Sequence, residues 1–494
     1  MHVLTRIAFC VLLVAAGGAA GEIGPSGAQA LAAQLRAWFG GMLGPDAPEL
    51  PVQAEVEGDH YRVIIPLPGI RTQAAEPAVS AAARKLPDGR WGIDEVHFPG
   101  KFSFAIRPMP PNARPRTETV VIGDQQTKGT IDPELQLPSS FGADGANIVI
   151  TTTGPSQTQE QHIDRYTATG NATPVAGGLL DVSTTTEVEG WRTGALALGG
   201  VAAGSGVRSA TATAHIHGLK PSQVGPAIAA LVSLSAALPA PMHAQSGTGN
   251  HVRLPDLPPP GLAALHRLVA ALPGIATAFR IDETLEDVQF EIAGIGGAVV
   301  DRVRLGFGGE APGGLLRAWF NLGLRGLSIH GLPQAQAALV PRMVSFRPSV
   351  TGVPVEALIR LLAAMTEPGH PPAARLEPQV EALFAQGGLT VGIEALDVAI
   401  GPAEFTGAGS MLLLSPTERE GQARIAATGF DALVEQMRGD PTSGAALPML
   451  ILARGLAKPE DGRLIWTIAI DRSGKITVNG IGFPGFAGAA GRGG

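Results

Sequence analysis

The chain of 494 residues holds a single cysteine, Cys10. One thiol makes no intramolecular disulfide, and this one lies inside an N-terminal apolar run that export would remove. The mature chain then has no cysteine nucleophile and no thiolate metal site. Charge is also scarce: 16% of residues are charged, against roughly 25% in an average globular protein. Lys and Arg number 36 against 43 Asp and Glu, for a formal net charge of -7. Such a chain offers no basic face to displace counterions, so nucleic acid is excluded as a main partner. With 2 Tyr and 5 Trp, the aromatic girdles of an outer-membrane β-barrel are missing, and interspersed helices break the uniform strand pattern a barrel needs. There is no G-x-S-x-G elbow, no H-E-x-x-H, no phosphate-binding loop and no dinucleotide fingerprint. No catalytic residue, metal ligand or cofactor is assigned on sequence.

The targeting signal is at the N-terminus. Arg6 precedes the apolar run Ile7–Ala16, and small residues at Gly18-Ala19-Ala20 and Ala28-Gln29-Ala30 offer two cleavage points. The run is shorter than the ~20 residues that span a bilayer. Residues 1–30 are therefore expected to be a signal peptide or, uncleaved, a signal anchor at the inner membrane. Export without a disulfide framework suits a periplasmic bacterial protein whose core is large enough to hold unaided.

What is abundant is glycine and proline, 66 and 41 residues, spread through apolar stretches. They recur in one design: Ile216-His217-Gly218-Leu219-Lys220-Pro221, Ser328-Ile329-His330-Gly331-Leu332-Pro333 and Val350-Thr351-Gly352-Val353-Pro354. Glycine reaches a backbone angle that most residues avoid. Proline is tolerated in a first helical turn, where its missing N–H has no partner to lose. Each copy thus predicts a strand, a sharp turn and a short helix.

Along the chain, Leu31, Leu35, Trp38, Phe39 and Met42 mark an amphipathic helix over 31–43. Strands are expected around Tyr61–Ile65, Trp91–Phe98, Phe102–Ile106, Thr119–Ile122, Ile148–Thr152, Val288–Ile292 and Val299–Phe307. The Gly/Ala-rich run Leu196–Thr213 reads as a weak hairpin or mobile loop. Helices follow over 221–238, 261–272 and from Pro354, then near Leu376–Phe384 and over Phe430–Arg438, with Thr428 and Asp431 as a capping pair. In Leu389–Ile400 the apolar alternation slips phase at Glu394-Ala395, as a β-bulge would make it. At the end, Leu464, Trp466, Ile468 and Ile470 alternate with polar neighbours before Asp471-Arg472-Ser473-Gly474-Lys475. Only a three-residue loop with Gly474 left-handed sets Ile470 beside Ile476 and Ile468 beside Val478.

These elements divide the chain into an N-terminal β-rich domain (31–238), a Pro/Gly-rich linker (239–260), a C-terminal α+β repeat-like domain (261–480) and a disordered tail (481–494). The fold class is α+β: a long curved antiparallel β-sheet with short amphipathic helices on one face.

Candidate chemistry is sparse. His215 and His217 share a strand face but lack a third ligand, so they read as a solvated face, with His217 and His330 in turn roles. Asp282-Glu283 and Glu286-Asp287 read as a solvated turn without calcium-loop spacing. Glu187 and Glu189 share a face as a weak acid/base pair.

The ending Asp461-Gly462-Arg463-Leu464-Ile465-Trp466, continued by Gly474-Lys475-Ile476-Thr477-Val478-Asn479-Gly480, resembles the C-termini of bacterial envelope proteins of the YdgA-like kind and, more distantly, AsmA-like proteins. The likeness covers Leu254 to Gly480. It implies an export or anchor segment, long antiparallel β structure and a role in the envelope and in lipid handling, and it carries over no catalytic residue. The expected function is that of a non-enzymatic exported envelope protein, its partner a lipid or another envelope protein. The expected contact face is Val355, Leu358, Ile359 and Leu362. An exported hydrolase with a dispersed site is the alternative.

Overall fold

A computed structural model describes residues 23–43, 50–66, 70–72, 78–106, 116–132, 137–154, 158–198, 201–237, 259–292, 296–367, 373–438 and 447–482. Residues 1–22 of the expected export segment, nearly all of the 239–260 linker and the tail after Gly482 lie outside these. Strands dominate the described residues, and every strand pairing recorded among them is antiparallel. Contacts divide the chain into two units: Met1–Phe279 with Leu362–Pro371, and Arg280–Leu361 with Pro372–Gly494.

The first unit opens with α1 (Pro25–Leu43), longer at its start than the apolar spacing predicts. Twelve strands follow: β1 (Gln53–Glu57), β2 (His60–Pro66), β3 (Ile70–Thr72), β4 (Ala78–Lys85), β5 (Trp91–His97), β6 (Lys101–Ile106), β7 (Arg116–Val121), β8 (Asp124–Asp132), β9 (Leu137–Thr153), β10 (Thr158–Val175), β11 (Leu179–Leu198) and β12 (Val201–Leu219). They run β1-β2-β4-β5-β8-β9-β10-β11-β12, with a branch β7-β6-β3 leaving β9. Asn147 makes the branch: at φ 54° it kinks β9, so that residues before it pair with β8 and residues after it with β7. Leu31, Leu35 and Phe39 of α1 are buried with Tyr61, Val63 and Trp91 in one core, and Tyr61 and Trp91 sit 5.8 Å apart. Of the two expectations for 196–213 the hairpin forms and the mobile loop is corrected: β11 and β12 are 20 and 19 residues long and pair as far as Leu198 and Val201. Backbone pairing needs no side chain, and Thr193 and Ser205 hold the glycine-rich stretch by side-chain bonds. Helices α2 (Pro221–Ala237) and α3 (Pro259–Ala271) close this unit.

The second unit is a meander. Its strands are β13 (Ala278–Ile292, which begins at the boundary), β14 (Gly296–Glu310), β15 (Leu315–Arg325), β16 (Ser328–His330), β17 (Pro341–Pro354), β18 (Leu389–Ile400), β19 (Ala403–Leu413), β20 (Arg419–Thr428), β21 (Lys458–Glu460), β22 (Arg463–Ile470), β23 (Ile476–Val478) and β24 (Ile481–Gly482). Its helices are α4 (Gln334–Ala337), α5 (Val355–Met365, ending in the first unit's share), α6 (Ala373–Ala382), α7 (Phe430–Arg438) and α8 (Leu447–Leu456). Pairing runs β14-β15-β17-β18-β19-β20-β22-β23-β24.

The repeated turns form as the sequence predicts: Gly218, Gly331 and Gly352 have φ of 61°, 92° and 84°, and each lies at the end of a strand that a helix follows. The bulge falls at Glu394-Ala395, where register shifts against both neighbours of β18. The closing hairpin pairs Ile470 with Ile476 and Ile468 with Val478, with Gly474 at φ 80°. Asp471 Oδ1 accepts from the Ser473 and Lys475 amides. The capping pair at α7 does not form as expected: Gly429 at φ 65° makes the turn, and the Asp431 carboxylate is taken by Arg454 of α8.

Candidate functional site

The polar candidates resolve into surface structure. His215 and His217 are exposed on β12, where His217 faces Asp181 at 3.4 Å and its carbonyl accepts from Thr277. The Gly218 amide, donating to Asp181, and the nearby imidazole hold that carboxyl below its usual range. The acidic cluster at 282–287 lies within β13, which corrects the expected turn. Asp282 bonds Arg280 and Glu286 bonds Arg302, and the paired arginines let acidic residues sit on a strand. Glu187 and Glu189 are exposed on β11, with Glu189 in register with Arg165. Among the described residues no group of three or more His, Cys, Asp or Glu could hold a metal ion.

A depression of about 770 Å³ lies beside the closing hairpin, lined by residues including Thr390, Ser410, Leu412, Glu420, Gln422 and Arg472. The Arg472 guanidinium, 2.7 Å from Glu420, holds that carboxyl below its ordinary range. A carboxylate so held is a poor proton acceptor, and the lining contains no histidine.

The second unit's sheet has a different character on its other side. Residues paired in register point to the same face, so the register sorts every side chain. Phe307 pairs with Phe320 and Leu305 with Leu322. Leu322 then pairs with Phe346, and Phe346 with Leu396. Val391 pairs with Met411 and Val398 with Phe405, Ala423 with Ile468 and Ile425 with Trp466. One face is therefore predominantly apolar from β14 through β23, with Asp301 and Arg419 at its margins. Arg304, Arg317, Arg347 and Glu404 go to the opposite face.

Among the described residues, α7 and α8 cover one end of this apolar face. There α7 and α8 bury Phe430, Val434, Ala427 and Trp466, with Phe430 5.5 Å from the Trp466 ring. The Trp466 indole N–H donates to the Ala453 carbonyl at 2.7 Å, tying α8 to the sheet. Elsewhere the face stays partly in water: Phe307 is 46% exposed, Phe320 38% and Val391 39%. Side chains of that size are normally buried, and a contiguous exposed apolar patch marks a binding surface.

Within the face lies a trough. On the β19–β20 pair its floor has Gly409 opposite Ala423 at the centre, with Gly407 opposite Ile425 on one side and Gly421 opposite Met411 on the other. Walls rise on either side from Val391, Ile393 and Leu396 of β18 and from Ile468 and Ile470 of β22. Neighbouring strands are ~4.8 Å apart, so the wall strands stand about 14 Å apart across the floor. Gly409 could be nothing larger, because an added Cβ would sit 2.4 Å from the Ala423 Cβ. The covered end at Phe405, Ile425 and Trp466 closes the trough, and Met411 and Ile470 flank the other end.

The four residues expected as the contact face lie elsewhere. Val355, Leu358, Ile359 and Leu362 share one side of α5 by their spacing, and all four are half-buried. Alternation in β14 and β22 was visible in the sequence, but not that large apolar side chains such as Phe307 and Phe320 stay partly exposed. The reading missed α8 altogether: Leu447-Pro448-Met449-Leu450-Ile451-Leu452 is a continuous apolar run, in which helical period leaves no trace. Among the described residues no helix is long and apolar enough to cross a membrane.

No protein-family model matches the chain, and no curated protein or solved structure matches it either.

Proposed function

We propose that this is a non-enzymatic exported cell-envelope protein that holds a lipid acyl chain along the trough of its second-unit sheet. The observation that carries the reading is the predominantly apolar face, half exposed, with walls of Val391, Ile393, Ile468 and Ile470 around the small pair Gly409 and Ala423. A floor of small residues between apolar walls accepts a chain of methylenes, each contributing about 0.8 kcal/mol when fully buried. An acyl chain also asks for no hydrogen-bond donors, and the trough offers no charged group. An export segment ending at the earlier cleavage point, Ala20, ahead of α1, the curved platform with short helices on one face, and the resemblance to YdgA-like and AsmA-like envelope proteins belong to the same reading. So does a periplasmic location, free or tethered by an uncleaved segment, and so does a secondary contact at Val355, Leu358, Ile359 and Leu362.

The test is to fill the trough. Ala423 is half-exposed and already carries a Cβ, so Ala423→Phe lays a ring over the floor with little strain on the backbone. Binding of a fluorescent fatty-acid analogue should fall at least tenfold while the melting temperature stays within a few degrees of wild type. Unchanged binding in a folded A423F protein would refute the trough as the site.

A further inference from the structure

Helix α8 presents two apolar sides. Its inner side, Leu447, Leu450, Ala453 and Leu456, packs on the covered end of the apolar sheet face. Its outer half carries Met449, Ile451 and Leu452, exposed by 68%, 48% and 47%. The helix has one charged residue, Arg454, and that residue is engaged by Asp431 of α7. An outward helix face in a globular protein normally carries charge. Here it carries three large hydrophobes in four positions.

We propose that the outer side of α8 is a membrane-docking surface that inserts into the interface of a lipid bilayer. It rests on the reading of the trough as a lipid site, and it names the surface from which that lipid would be taken up or delivered. Three observations favour a bilayer as the occupant. The three side chains expose about 300 Å² of apolar surface, well short of the roughly 800 Å² per partner in a stable protein dimer. A bilayer makes no such demand, since it conforms to whatever is inserted. At 10 residues the helix is about 15 Å long, too short to span the roughly 30 Å hydrocarbon core, so it lies in the plane of the interface as amphipathic membrane helices do. Finally, α8 packs against the same apolar face that holds the trough, so docking through its outer side turns that face toward the lipid source. The uncharged outer half, in a chain of net charge -7, predicts insertion into zwitterionic membranes without help from anionic lipid.

The experiment uses the full chain and a local readout, because the apolar run at Ile7–Ala16 would itself bind vesicles. Met449→Cys in a Cys10→Ser background is labelled with an environment-sensitive NBD fluorophore and mixed with phosphatidylcholine vesicles. NBD at position 449 should shift to the blue and brighten several-fold, whereas NBD on Gln422→Cys, exposed on the polar sheet face, should not change. Adding Leu452→Asp should weaken the response at 449 about tenfold. Replacing part of the phosphatidylcholine with phosphatidylglycerol should not strengthen it. An unchanged signal at 449 with vesicles present would overturn the proposal. So would a blue shift that needs no vesicles and grows with protein concentration, which would mean that a second copy covers the helix. The trough is tested separately: A423F should keep the vesicle response and lose the fatty-acid analogue, and L452D should do the reverse.

Discussion

Phe320 and Phe430 offer the sharpest contrast between an open and a covered part of one sheet face. Phe320 is 38% exposed and Phe430 3%. Truncating Phe430 to alanine empties an enclosed space against Trp466 and Phe405, and should cost about 4 kcal/mol, within the range for core Phe→Ala changes. Truncating Phe320 loses part of a transfer term worth roughly 1.5–3 kcal/mol at full burial and leaves no enclosed cavity, so about 1.5 kcal/mol is expected. The two should therefore differ by about 2.5 kcal/mol in urea denaturation of delipidated protein, followed by tryptophan fluorescence. Adding an acyl ligand at a hundredfold excess over its Kd should then stabilise wild type by about 2.7 kcal/mol. A cost for F320A equal to that of F430A in delipidated protein would refute the reasoning, because it would mean that the face is covered in solution.

Three further outcomes follow from local geometry. Gly474→Ala places a Cβ at φ 80° with open space around it, and should cost about 1 kcal/mol in equilibrium unfolding. Gly429→Ala adds a Cβ 2.1 Å from the Pro402 carbonyl oxygen as well, so it should cost several times more and loosen α7 from the sheet, read as lost protection of α7 amides in hydrogen exchange. Asp431 and Asp471 are both held below the carboxyl value of 3.8, the first by Arg454 and the second by Ser473 and the Lys475 amide. A depressed folded-state pKa contributes stability that is fully present above the unfolded value and is lost as pH falls through the folded one. The melting temperature should therefore drop below about pH 4, and Asp471→Asn should flatten that drop while lowering stability at neutral pH. A double variant with Asp431→Asn that keeps the full wild-type acid dependence would contradict this.

What was legible in the sequence was local. The closing hairpin could be read because the strict alternation from Leu464 to Ile470 admits one loop length. The bulge at Glu394-Ala395 could be read because a phase slip has one structural remedy. The glycines of the repeated turns declared themselves by the prolines that follow. Long-range facts were not legible. Alternation in β14 or β18 says that one side is apolar, but a covered face and an open one have the same pattern. Helical spacing points to Val355, Leu358, Ile359 and Leu362, whereas the exposure of Phe307, Phe320 and Val391 on the sheet has no such signal. The glycines of the trough, Gly407, Gly409 and Gly421, are scattered through two strands and meet only through register. Helix α8 was invisible for the opposite reason: a run apolar on all sides has no period to detect.

The proposed function stands on a sheet face that is open in the free protein and would be filled by lipid in the cell. Native mass spectrometry of protein purified without delipidation, with solvent extraction of the same sample, tests this most directly. The account predicts an added mass matching an acyl-chain lipid, recovered in the extract and lost from A423F. A wild-type protein gently purified from its own membranes and still free of any lipid would contradict it.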